Sequence, residues 1–261
     1  MSGAIHQSAA RGFALAPEAY ERGRPMYPFA AVRRLVREVR IRPESPMLDL
    51  GAGTGKLTRL LAQLGADVVA VEPVDAMRQR LVETIPGVKA LPGTAETIPL
   101  EDESMDAVTV AQAFHWFDGD AALAEIHRVL RPGKRLGLIW NVKDESVDWV
   151  RLLAEIIEPY RGSAPNVGSG SWKEAFERTE GFTPIERARF AFVHEIDAGT
   201  VVARVTSISF IAALPDADRA RVLADIDRVI DAEPSLAGRG RIGLPYRTDL
   251  YWCRRRGHAD A

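Results

Sequence analysis

The sequence predicts an α/β protein: a parallel sheet with helices on both faces and a smaller helical cap. Three observations carry this. Between residues 46 and 142, short apolar segments alternate with amphipathic ones over brief connections, the pattern of βαβ units. The first apolar segment runs straight into a glycine-rich turn, GAGTG, that opens a helix. Beyond residue 143 the rhythm changes to longer helices separated by two strand-like stretches.

The elements follow in chain order. PFAAVRRLVREVR is an amphipathic helix just upstream of the alternating region. MLDL then reads as a strand, KLTRLLAQL as a helix, DVVAVE as a strand, AMRQRLVETI as a helix and VKAL as a strand. A loop through GTAETIPLEDES leads to the strand DAVTVA, the helix AALAEIHRVL, the turn RPGK and the strand RLGLIW. DWVRLLAEIIEPY is helical, with Trp149, Leu152, Leu153, Ile156 and Ile157 on one face. PNVGSGSW is a loop and WKEAFERTEGF a second helix, followed by the alternating strand FTPIERARFAFVHEI. TVVARVTSISFIAAL and DADRARVLADIDRVI are two further helices, and RTDLYWCRRR is the last strand. The expectation is a single domain: an N-terminal arm over 1–27, a cofactor-binding core over 46–142, a cap with a late strand over 143–240, and a final strand over 241–256.

Composition narrows the function classes. The 261 residues are 46% apolar and 27% charged, enough for one large core. Lys and Arg number 34 against 36 Asp and Glu, which leaves no nucleic-acid footprint and no basic stripe for a membrane surface. No stretch is long enough to span a bilayer and the first residues lack an uninterrupted apolar run, so a cytoplasmic location is expected. The one cysteine excludes an internal disulfide and a Cys-rich metal site; Cys253, within LYWC, is expected to be buried. Arg254, Arg255 and Arg256 read as a solvated tail. His6, His115, His127, His194 and His258 show no metal-ligand spacing, so no metal is expected, and His127 reads as a helix-face residue.

Gly51, Gly53 and Gly55 lie between a strand and a helix, where missing Cβ atoms let a backbone approach a ligand closely. Thr54 is placed to cap the following helix, whose N-terminal end favours an anionic group. Glu72 ends the next strand, beside the same crevice, where a carboxylate accepts hydrogen bonds from ribose hydroxyls. A dinucleotide fingerprint spaces its glycines G-x-G-x-x-G, and here the third comes one residue early, after Asp49. That pattern resembles motif I of class I S-adenosyl-L-methionine (SAM)-dependent methyltransferases. GTAETIPLEDESMDAV and HRVLRPGKRLGLIW are similar to further segments of that family, with Lys134 departing from its usual RPGG turn. YERGRPMYP and LPYRTDLYW resemble the type-11 group that includes trans-aconitate-like methyltransferases.

The resemblance implies a Rossmann-like, doubly wound sheet of seven strands, mostly parallel, with an antiparallel last strand. It implies SAM as cofactor, S-adenosyl-L-homocysteine (SAH) as product and a small-molecule acceptor, on a monomer or homodimer. Its cofactor site maps onto Asp49, Gly51, Ala52, Gly53, Thr54, Gly55, Glu72, Pro73 and Met77. Thr94, Ala95 and Glu96 would flank the adenine, and Gln112, Ala113 and Tyr27 would lie nearer the methionine end.

Residues 112–117, QAFHWF, leave a strand with three aromatics and a histidine. In the resembled fold the strand order reverses between the strands ending at Leu50 and near Ala111, which implies that this loop faces the glycine turn across the cofactor, where aromatic faces attract a sulfonium while excluding water. Phe114 and Phe117 read first as core. His115 and Trp116 are the catalytic candidates, His115 either as a general base or as a residue that holds the loop. Tyr20, Arg22, Arg24 and Tyr27 cluster on the N-terminal arm. Tyr20 and Arg24, with His115 and Trp116, are candidate acceptor contacts, and the arginines, since guanidinium pairs with carboxylate, could hold either the methionine carboxylate or an acidic substrate. Two rival functions stay open: a NAD-dependent oxidoreductase on the same topology, and a catalytically inactive module that binds SAM or SAH. The trans-aconitate-like resemblance implies an oxygen nucleophile such as a carboxylate.

Overall fold

A computed structural model describes residues 21, 23–233 and 240–257. Strand β1 (Pro46–Leu50) is a buried apolar run, and the chain leaves it for helix α2 (Lys56–Gln63), strand β2 (Asp67–Val71), helix α3 (Asp75–Thr84) and strand β3 (Lys89–Leu91). Strand β4 (Met105–Ala111), helix α4 (Gly119–Val129) and strand β5 (Leu130–Lys143) complete the parallel part, with α1 (Phe29–Glu38) upstream. The sheet order is β3-β2-β1-β4-β5-β7-β6, where β6 is Glu186–Ile196 and β7 is Ile242–Arg254. Strand β1 pairs in parallel with β2 on one side and β4 on the other, and β7 runs antiparallel to both β5 and β6. The sheet is therefore the seven-stranded, doubly wound, Rossmann-like arrangement with an antiparallel last strand. Its strand order reverses at β1 and β4, and ligands bind beyond the carboxyl ends of such a pair.

Side-chain alternation sorts the apolar residues into cores. Leu48, Val108, Val110, Leu138 and Trp140 pack on one face with α4 and Trp172. Met47, Ala107, Ile139, Leu250 and Trp252 pack on the other with α1 and α2. A third core belongs to the cap. It joins α5 (Asp148–Ile157), α7 (Ala198–Thr206), α8 (Ser209–Ala212) and α9 (Asp216–Ala232) to Ile242, Leu244 and Tyr246 of β7.

Several elements differ from their sequence expectation. TVVARVTSISFIAAL is not one helix: it breaks after Thr206, and α8 starts at Ser209. The Ser207 hydroxyl donates back to the Arg204 carbonyl at 2.7 Å, one of the local bonds by which serine competes with the helix ladder. WKEAFERTEGF forms only a single 3₁₀ turn and the short α6 (Glu174–Arg178). RPGK lies inside β5, and β7 begins at Ile242, within the expected 241–256 and ahead of RTDLYWCRRR, because it continues along β6 as far as Ile196.

The basic run at 254–256 is not a solvated tail. Arg255 is buried, its backbone held by Lys134 and by a bridge to Phe182. Its guanidinium donates to the Leu130 carbonyl, pairs with Glu103 at 3.0 Å and reaches His127 Nε2 at 3.3 Å. His127 is accordingly part of an interior junction, edge-on to Phe182, rather than a plain helix-face residue. Cys253 is buried, as expected, and burial pushes its thiol above the ordinary range. Among the described residues no helix is long and apolar enough to cross a membrane.

Candidate functional site

The glycine turn is a left-handed stretch at three positions, with φ of 67° at Gly51, 58° at Gly53 and 83° at Gly55. At Gly51 a Cβ would stand 2.9 Å from the Ala113 Cβ and 3.2 Å from the Phe117 ring, so the turn lies directly against the segment after β4. At Gly53 a Cβ would meet nothing within 4 Å. That backbone faces open space, a cradle only glycine leaves clear. The Gly53 N–H donates to Glu72 Oε2 at 2.8 Å, and Val74 N–H donates to Oε1 at 2.9 Å. Burial raises the Glu72 pKa while these two bonds oppose the rise. Glu72 thus pins the turn, and each oxygen keeps a lone pair for a further donor.

Asp49 is fully buried beneath the turn and takes hydroxyl donors from Thr58 at 2.6 Å and Thr109 at 3.1 Å. Desolvation pushes its carboxyl up to about 6 against those bonds. It acts by positioning the loop. Thr54 does not cap α2 as expected: the N-cap is Gly55, with no side-chain cap. The left-handed Gly55 delays the helix by a residue, so the Thr54 hydroxyl points at the N-terminal arm and donates to Glu21 at 2.7 Å. Lys56 donates to the Glu21 carbonyl at 2.7 Å and Arg59 pairs with the same carboxylate at 3.3 Å. Glu21 is latched onto the glycine turn and the start of α2 by these contacts.

Around the rest of the crevice, Ala52 and Pro73 are half-buried, and Met77 and Ala95 are buried. The Thr94 hydroxyl is buried with no hydrogen-bond partner among the described residues, an unmet polar group in the stretch expected to flank an adenine. Glu96 accepts the Asp118 N–H at 3.0 Å and so ties that stretch to the start of α4. Tyr27 is buried in the α1 core and lines a small cavity with Arg24, Lys56 and Gln112. Tyr20 and Arg22 lie outside the described residues.

The segment after β4 turns on Gln112, whose φ of 58° is left-handed without being glycine. The surroundings hold it there: its N–H donates to the Ile139 carbonyl at 2.9 Å and its side chain to the Asn141 carbonyl at 3.2 Å. Residues Phe114–Trp116 then form a single 3₁₀ turn that sends alternate aromatics to different tasks. Phe114 packs into the core against Phe176, Phe117 and Trp172, as the sequence suggested. His115 and Trp116 line a cavity of about 770 Å³ between the end of β5 and the cap.

His115 has a defined role in that wall. The Trp140 indole N–H donates to its Nδ1 at 3.3 Å, so the proton of the neutral ring sits on Nε2. Burial, with Arg24 and Arg161 nearby, lowers its pKa to about 3. The imidazole is therefore a neutral hydrogen-bond donor through Nε2, and the base option loses its physical support. The cavity also brings in cations that sequence reading passed over: Lys143 from the end of β5, Arg161 after α5 and Arg204 on α7. Burial and the neighbouring Arg204 push the Lys143 pKa down to about 7, while Glu145 opposes that fall. These residues come from distant segments, a strand end, a loop and a helix, and nothing local in the sequence marks them. Arg24, singled out on the arm, does line the cavity, its Nε donating to Ser207 Oγ at 3.3 Å.

Comparison with known proteins gives a consistent answer. The profile of the methyltransferase domain family matches residues 48–138. An uncharacterised methyltransferase of Mycobacterium tuberculosis is 42% identical over 236 residues, which is 90% of this chain and 92% of that protein. A malonyl-[acyl-carrier protein] O-methyltransferase of Methylococcus capsulatus is 41% identical over 100 residues, 36% of each chain. A solved structure of a candidate type II methyltransferase from Anaeromyxobacter dehalogenans superposes with a TM-score of 0.60 at 25% identity, covering 89% of this chain and 97% of that one.

Proposed function

The chain belongs to the methyltransferase domain family, and from that premise we propose that it moves a methyl group from SAM to an oxygen nucleophile, such as a carboxylate, of a small molecule. SAM supplies an electrophilic methyl on a sulfonium sulfur. The cradle at Gly53, the Glu72 carboxylate and the unmet Thr94 hydroxyl suit the backbone, ribose and adenine of such a cofactor.

One observation carries the choice of nucleophile: His115 offers the cavity a donor and no base. A hydroxyl or an ammonium group must lose a proton to attack, whereas a carboxylate arrives deprotonated and needs only to be oriented. Nε2–H of His115 would hold one carboxylate oxygen and leave the other free to attack in line. Trp116 and the arm latched by Glu21 would exclude water from the reacting atoms. The O-methyltransferase relative from Methylococcus is consistent with an oxygen acceptor.

Calorimetric titration with SAM, SAH and NADH tests the first half of this reading. Micromolar binding of SAM and SAH, with no heat from NADH, is the expected result. Binding of NADH alone would overturn it in favour of an oxidoreductase. A screen of small carboxylic acids for methyl-ester formation then tests the acceptor.

A further inference from the structure

The cavity that His115 lines carries six basic side chains from Lys and Arg against four carboxylates. Three of its cations have carboxylate partners: Arg151 with Glu155 at 2.6 Å, Arg161 with Glu158 at 2.8 Å, and Arg247 with Asp249 at 3.2 Å. Arg204 and Lys143 have none within ion-pair distance among the described residues. Among the described residues the Arg204 guanidinium makes one hydrogen bond, from Nε to the Tyr246 hydroxyl at 3.2 Å, and its buried Nη1 has no hydrogen-bond partner. Guanidinium cannot shed its proton, so an orphaned buried N–H there stays costly until an acceptor arrives from outside.

Lys143 sits beside it for a structural reason. Strand β5 runs on past the end of β4, and its last residues pair only with β7, Lys143 opposite Tyr246. The same tyrosine that holds Arg204 is thus the register partner of Lys143. Arg24 and Arg161 add like charge within electrostatic reach of that ammonium. Glu145 and Glu158 act on that ammonium from the same cavity without pairing with it, so neither Lys143 nor Arg204 has an ion pair among the described residues, an arrangement that suits an anion.

We propose that Arg204 and Lys143 form an anion subsite that holds a second anionic group of the methyl acceptor, a carboxylate or a phosphate, away from the atom that is methylated. The acceptor's identity rests on the methyl-transfer reading; the anion site itself rests on the two unpaired cations. Both residues are specificity determinants in this scheme: Arg204 supplies a directional donor and Lys143 a point charge. With a pKa of about 7, Lys143 is only partly protonated near neutral pH, so an arriving anion also draws a proton onto it.

The test is calorimetry on the full-length protein, with and without SAH, using three probes: tricarballylate, inorganic phosphate and the uncharged trimethyl ester of tricarballylate. Binding of tricarballylate or phosphate but not of the ester is expected, and whichever anion binds more tightly identifies the group. Arg204→Gln and Lys143→Gln should each weaken that anion by about tenfold or more, while Arg204→Lys recovers part of the loss. Around pH 8 the heat should vary with the ionisation enthalpy of the buffer, reporting proton uptake that Lys143→Gln abolishes. An SAH affinity equal to wild type in each variant shows that the variants are folded. Equal binding of ester and anion, or anion affinities unchanged in both Gln variants, would overturn the subsite. Anion binding in a wild-type protein that ignores SAH would instead sink the methyl-transfer reading and leave the subsite standing.

Discussion

At the scale of single residues, the contact between Trp140 and His115 decides what the site can do. An imidazole that accepts an indole N–H at Nδ1 is committed to one tautomer, and heteronuclear NMR reads that tautomer directly. The wild type should show His115 with its proton on Nε2, and Trp140→Phe should shift the ring toward a mixture. With its pKa near 3, His115 stays neutral between about pH 5 and 8, so kcat should carry no inflection assignable to it. A step near pH 6.5 that vanishes in His115→Gln would restore the base role.

Asp49 gives a second residue-level prediction. Its folded pKa of about 6 lies above the unfolded value of 3.8, so between those values the native state binds the extra proton. Stability contributed by this group therefore falls as pH rises through that window, by about 2–3 kcal/mol in all, and is flat above it. The difference in unfolding free energy between wild type and Asp49→Asn, followed against pH, should show that slope. That His115 and Trp116 line the cavity was legible in sequence, because they follow a strand next to the glycine turn, but the tautomer of His115 was not. Lys143 and Arg204 were not, because nothing local marks a cation whose counter-ion is missing.

Among the elements, the glycine turn separates two effects that a motif merges. Gly51 is excluded from bearing a side chain by Ala113 and Phe117, whereas Gly53 has no neighbour to meet. Gly51→Ala should cost folding stability through both overpacking and left-handed strain, about 2–4 kcal/mol. Gly53→Ala should cost only the strain, about 1–2 kcal/mol, yet weaken SAH binding because its methyl enters the cradle. Thermal unfolding and SAH titration on the same two variants resolve the pair. The spacing of the glycines was readable in sequence, but the role of Thr54 was not. A cap and a latch to Glu21 look identical until the left-handed Gly55 shows where the helix begins. Glu21→Ala should accordingly loosen the arm and raise the SAM Kd while leaving α2 intact by circular dichroism.

For the molecule as a whole, the cap has its own core, and that core should be separable in its effects. Ile226 is fully buried in α9, within the cap. Ile226→Ala should cost about 2–5 kcal/mol and raise the acceptor KM while SAH affinity holds. A parallel loss of SAH binding would show that the two halves do not answer separately. The alternating half of the chain declared its fold through periodicity. The cap did not, since amphipathic helices announce a buried face without naming its partner. Strand β7 is where the halves meet. Its even-numbered residues Ile242, Leu244 and Tyr246 lie in the cap core, and Leu250 and Trp252, on the same face, lie in the core beneath α1. Parity along this strand is thus a phase reference that the two halves share. Replacing a side chain changes the acceptor chamber locally, but inserting or deleting one residue midway along β7 inverts every inward position on one side of the change. Substitutions on this face can therefore reshape the cavity one side chain at a time, whereas an insertion within the strand would have to be absorbed by a bulge.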